Sequence, residues 1–126
     1  MNKAIEVLLN TAQSKVKEAM DHYDVDGPEW SHYQDAGYTI TELFGIDAMG
    51  KELRAVIETN IDFVRGANYG INFYFGKALM HGISMLTSLK SMLKELGEDQ
   101  AEGMYDEDLK KADEVLELLN AIKALS

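Results

Sequence analysis

The sequence predicts an all-α protein, an antiparallel four-helix bundle, on three observations. Leu, Ala, Met, Glu and Lys are abundant and there is a single proline, a composition that favours helices. Apolar residues recur at three- and four-residue steps through most of the chain. No alternating strand pattern bounded by turn residues occurs. At 126 residues the chain suits one domain, residues 1–126, large enough to bury a core without staples.

The first helix is expected over residues 2–23. There Ile5, Leu8, Leu9, Ala12, Val16, Ala19, Met20 and Tyr23 make one stripe, with Lys3, Glu6, Lys15, Lys17 and Glu18 off its centre. Residues 24–46 read as an irregular connector carrying short helices. Asp26-Gly27-Pro28 is a turn signal, and Pro28 suits the start of a short helix because its missing N–H would be unpaired there. A break is expected near Gly37, and Thr39 followed by Glu42 has the capping-box spacing for another turn through Phe44.

Asp47 to Leu96 reads as two amphipathic segments around which the rest is wrapped. Asp47 is the expected N-cap, and Met49, Leu53, Val56, Ile57, Ile61 and Val64 share one face. A break is expected across Gly66-Ala67-Asn68-Tyr69-Gly70. Beyond it, Ile71, Phe75, Leu79, Leu86, Leu89 and Leu93 form a continuous face, while Tyr69, Phe73, Met80 and Ile83 add apolar surface opposite. A helix apolar on two sides is surrounded by other elements, so residues 69–85 are expected to be the most buried.

Gly70, Gly76 and Gly82 each cost roughly 1 kcal/mol against Ala in a helix, which implies close approach of a neighbouring helix or a partner chain. The alternative, one helix from Asp47 to Leu96, would be about 75 Å long and would force a dimer. Either way a homodimer is expected. Gly97 ends this region, residues 97–105 form a polar connector, and the last helix is expected from Asp106 to Leu125. Asp106 is its cap, and Ala112, Val115, Leu116, Leu119 and Ile122 line its inner face.

Charge is unevenly spread. The formal net charge is −10, which opposes direct binding to nucleic-acid phosphates. Eight acids and no base lie between Lys17 and Lys51, and seven acids and no base lie between Lys94 and Lys110. In an up-down-up-down bundle these stretches meet at one end. The expected function is therefore non-enzymatic: an acidic module, inhibitor or adaptor, that docks a basic protein surface, including by imitating nucleic-acid phosphates. Its partner-binding residues would be Asp24, Asp26, Glu29, Trp30, Tyr33, Glu98, Asp99 and Glu102, with carboxylates steering and aromatics anchoring. The aromatics Tyr23, Trp30, Tyr33, Tyr38 and Phe44 could equally lid one end of the core.

The alternative function is a small-molecule site or modest enzyme built on Asn60, Asn72, Lys77, His81 and Ser84, polar groups on the central segment. His81 would be its acid or base. The same stripe also suits the solvent side of a helix.

Other chemistries find no support. The chain has no cysteine, which excludes disulfides and thiolate chemistry and fits a reducing cytoplasm. Glu29 and His32 have the Glu-x-x-His spacing of di-iron bundles, but the second copy is missing, since Ala78 stands three residues before His81. The run from His22 to Tyr33 resembles a calcium loop in its Asp24, Asp26 and Gly27, yet begins with His and ends with Tyr where a bidentate Glu is needed. No metal, cofactor or catalytic residue is assigned. There is no nucleophile elbow and no phosphate loop. An amphipathic N-terminus argues against a signal peptide, and no apolar run is long enough to span a membrane.

Overall fold

A computed structural model describes residues 3–56, 61–98, 100 and 103–126, with the side chains of 51–69 outside the description. It contains four helices: α1 (Lys3–His22), α2 (Pro28–Val56), α3 (Ile61–Gly97) and α4 (Asp106–Leu125). Each helix packs on its neighbour in sequence, and α1 closes the ring by packing on α4. The fold is the expected all-α four-helix bundle.

α1 and α4 form as their patterns dictate. Ile5, Leu9, Ala12, Val16 and Ala19 are buried on α1, and Ala112, Val115, Leu119 and Ile122 on α4. The turn into α4 uses Gly103, whose φ of 82° lies in the left-handed region that glycine adopts without strain. Asp106 N–H donates to the Gly103 carbonyl at 3.2 Å. Asp106 is the first helical residue rather than the cap, which is Tyr105.

The middle of the chain departs from expectation. Pro28 does open a helix, but α2 then runs unbroken for 29 residues. The irregular connector thus shrinks from 24–46 to the few residues before Pro28, closed by Gly27 N–H donating to the Asp24 carbonyl at 2.9 Å. No break occurs at Gly37, Thr39 is not a cap, and Asp47 lies inside α2. The physical reason is a buried face of Tyr33, Ala36, Ile40, Leu43 and Ile46, which outweighs the glycine penalties. Likewise α3 passes straight through Gly66 to Gly70 and is 37 residues long. The two long helices are separate and paired, so the single helix from Asp47 to Leu96 does not form.

Length has a second effect. At 1.5 Å per residue α3 extends about 55 Å, whereas the 20-residue α4 covers only about 30 Å of it. Leu86, Leu89 and Leu93 are therefore fully enclosed. Residues 69–85 are not the most buried section: Phe75, Ala78 and Leu79 point inward, but Phe73, Tyr74 and Met80 are exposed. Of the glycine series only Gly82 meets a neighbouring helix closely. A Cβ there would stand 2.9 Å from Thr39 Cγ2, whereas Gly70 and Gly76 have nothing within 4 Å among the described residues.

Candidate functional site

The antiparallel order brings the C-terminus of α1, the start of α2, the end of α3 and the start of α4 to one end of the bundle. A hydrogen bond from the Tyr23 hydroxyl to the Asp108 carboxylate ties two of these together across 85 residues of sequence. Lys111 Nζ lies 5.5 Å from the Tyr23 ring centroid, and His22 meets that ring edge-on at 4.9 Å. Tyr23 in turn stacks on Tyr33 at 5.8 Å. This aromatic and charged joint fixes how the two acidic stretches face each other.

The candidate residues are placed as follows. Asp24, Asp26 and Glu98 are exposed, and Glu29 and Trp30 are half-buried at the first turn of α2. Asp99 and Glu102 lie outside the described residues. Tyr33 is only 1 % exposed, so it is a core residue and not a partner contact. Because α2 is continuous, Asp35, Glu42 and Asp47 lie successively farther down that helix and leave the acidic end. Tyr38 and Phe44 leave it for the same reason, so the five aromatics do not form one lid. The bases Lys15, Lys110 and Lys111 line a groove of about 310 Å³ between α1 and α4, facing Glu18, Glu107 and Glu114. Lys15 and Glu114 are paired there at 3.3 Å. That flank is balanced in charge, and the acid excess belongs to the connector side.

Two residues at this end escape a reading of the sequence for charge. Val25, between Asp24 and Asp26, and Met104, beside Gly103, are exposed apolar side chains. Their signal is an apolar residue isolated within an acidic turn.

The described residues of the alternative pocket do not converge on one cavity. Lys77, His81, Ser84 and Asn72 are all exposed, so this stripe is the water side of α3, while Asn60 lies outside the described residues. Asn72 and Lys77 edge a shallow depression with Phe73, Met80 and Lys123, and neither His81 nor Ser84 lines it. His32 is also engaged locally, its Nδ1 donating to the Pro28 carbonyl at 2.7 Å. Among the described residues no group of three His, Cys, Asp or Glu side chains is placed to hold a metal ion. Nor is any helix among them long and apolar enough to cross a membrane.

Beneath the joint, the Tyr33 hydroxyl is buried and meets no hydrogen-bond partner among the described residues. Burial, then the negative charges of Asp108, Glu114 and Glu29, push its ionisation well above the ordinary phenol value of 10.0. Tyr33→Phe is expected to raise stability by about 1 kcal/mol, because it removes a buried hydroxyl without orphaning a partner. The pH dependence has a definite sign. Because the folded-state pKa lies above the unfolded one, this group leaves stability unchanged with pH below 10.0 and lowers it as pH climbs past that value. Urea unfolding at neutral and at strongly alkaline pH should show the Phe variant losing less stability than the parent. An equal loss in both would contradict this account.

Comparison with known protein families, with curated proteins and with solved structures finds no match. The functional reading therefore rests on this chain's own residues.

Proposed function

We propose that this protein is a non-enzymatic binding module, an inhibitor or adaptor, whose acidic end docks a basic protein surface. The observation that carries the proposal is that Asp24, Asp26 and Glu29 of one base-free stretch and Glu98 and Asp108 of the other share one end of the bundle, tied by the Tyr23–Asp108 hydrogen bond. Exposed carboxylates steer a basic partner by long-range attraction, and desolvated apolar side chains hold it once docked. Asp24, Asp26, Glu29 and Glu98 supply the first; Trp30, Val25 and Met104 supply the second. Asp99 and Glu102 belong to the same proposal by sequence. Tyr33 acts only from below, by supporting Tyr23. A partner whose basic groove normally holds nucleic acid fits this chemistry, since carboxylates would occupy the phosphate positions. In the same reading the protein works in a reducing cytoplasm, in keeping with a chain free of cysteine.

The test begins with capture of basic proteins from the native host at low and high salt. Affinity of the captured partner is then measured for the parent and for the combined variant Asp24→Asn, Asp26→Asn, Glu29→Gln. The variant should bind on the order of tenfold more weakly, with a shallower dependence on salt. Unchanged affinity would end the proposal.

A further inference from the structure

We propose that the outer face of the α2–α3 hairpin, on the half away from the acidic end, is where a second copy of this chain packs. Among the described residues, four large apolar side chains are exposed there: Met49 (50 %), Phe73 (56 %), Tyr74 (60 %) and Met80 (46 %). They line two depressions flanking α3. Met49 and Tyr74 line one of about 290 Å³ between α2 and α3, with Gly70 in its wall. Phe73 and Met80 line the other, of about 510 Å³ on the α4 side, with Gly76 in its wall. The Phe73 and Tyr74 rings meet edge-on at 5.6 Å and join the two depressions over the ridge of α3.

Glycine placement points the same way. Gly37, Gly50 and Gly82 each face a side chain of an adjacent helix, at 3.2, 3.3 and 2.9 Å from an added Cβ. Among the described residues, Gly45, Gly70 and Gly76 face nothing within 4 Å. All three stand inside helices, where glycine is less favourable than alanine, and no contact among the described residues accounts for them. A helix of another molecule can approach the backbone closely at just these positions.

Charge and area select a second copy as the occupant. The chain carries −10 overall, yet between Asp47 and Lys77 it holds four bases and four acids. Two copies meeting here avoid the repulsion that would oppose contact at the acidic ends. The four exposed side chains present about 100 Å² each, or about 400 Å² per copy, given the 150–250 Å² of a large side chain. That is about half of the ~800 Å² each partner of a standard interface contributes. Glycine backbone and the surrounding helix surface supply the rest. A ridge with a groove beside it is self-complementary: the α3 ridge of one copy enters the α2–α3 groove of the other, and the reverse, as a two-fold interface requires.

Sedimentation equilibrium of the full chain tests this. The expected mass is twice that of the 14.1 kDa chain. Tyr74→Glu should raise the dimer Kd by roughly thirtyfold or more while helical content stays unchanged, because the side chain is solvent-exposed in one copy. Gly70→Gln should weaken the dimer as well, and should raise the melting temperature of the dissociated chain through its better helix propensity. Val7→Glu, on an exposed position of α1, should leave the mass unaltered. A single 14.1 kDa species at micromolar concentration, an assembly larger than a dimer, or a dimer indifferent to both variants would overturn the proposal. None of these residues lies at the acidic end, so such a result would leave the docking proposal standing.

Discussion

Leu86→Ala should cost about 2–5 kcal/mol of folding stability, whereas Phe73→Ala, one segment earlier on the same helix, should cost less than about 1 kcal/mol. Leu86 is fully enclosed where α2 and α4 both flank α3. Its truncation loses the transfer free energy of the side chain and leaves a cavity that the four helices only partly collapse into. Phe73 already keeps more than half of its surface in water. Urea unfolding of both variants in a Tyr74→Glu background, where the chain is dissociated, measures both without a contribution from self-association. Similar losses for the two would mean that residues 69–85 are as deeply packed as their apolar pattern suggests.

Gly82→Ala should lower stability by about 1–2 kcal/mol, the reverse of what helix propensity alone would give. The new methyl would sit 2.9 Å from Thr39 Cγ2, 3.3 Å from Thr39 Cβ and 3.4 Å from Leu119 Cδ1. Thr39 is buried and β-branched, so its side chain has little freedom to move aside. Relief must come from separating α2 and α3, which loosens the most extensive helix pair in the fold. Thr39→Ser keeps the hydroxyl and deletes the methyl at 2.9 Å, and should restore part of the loss in the double variant. Gly76→Ala, where the space within one copy is open, should instead stabilise the dissociated chain by about 0.5–1 kcal/mol, read in the Tyr74→Glu background. A destabilising Gly76→Ala together with a neutral Gly82→Ala would refute this packing.

These substitutions also mark where the sequence is legible. α1 and α4 carry one apolar stripe on an otherwise polar helix, so a single period decides both their extent and their buried face. α2 does not. Gly37, Gly45 and Gly50 look like punctuation, and exposed Tyr38 and Met49 blur the stripe made by Tyr33, Ala36, Ile40 and Leu43. Spacings of three, four and three residues between those four positions are the signal that reveals the helix. In α3 the apolar pattern is two-sided because Phe73 and Met80 form an exposed edge beside the end of α4, not because chain surrounds that side.

The acidic end is legible for a simpler reason. It depends only on where bases are missing and on helices alternating in direction. Which aromatic turns inward depends on helical phase, and that phase is lost once residues 24–46 are taken as irregular. Tyr33 is therefore misplaced by sequence alone, while Asp24, Asp26 and Glu98 are not.

The ring order of the helices also bears on how the chain reaches its native state. Three of the four seams join segments that follow one another directly, so little entropy of loop closure opposes them. Only the α1–α4 seam, with Tyr23–Asp108 and Lys15–Glu114 across it, must bring distant parts of the polypeptide together. Such short sequence separations belong to proteins that fold within microseconds to milliseconds. Nucleation would begin in the α2–α3 hairpin, with the terminal helices docking afterwards and fraying first under stress.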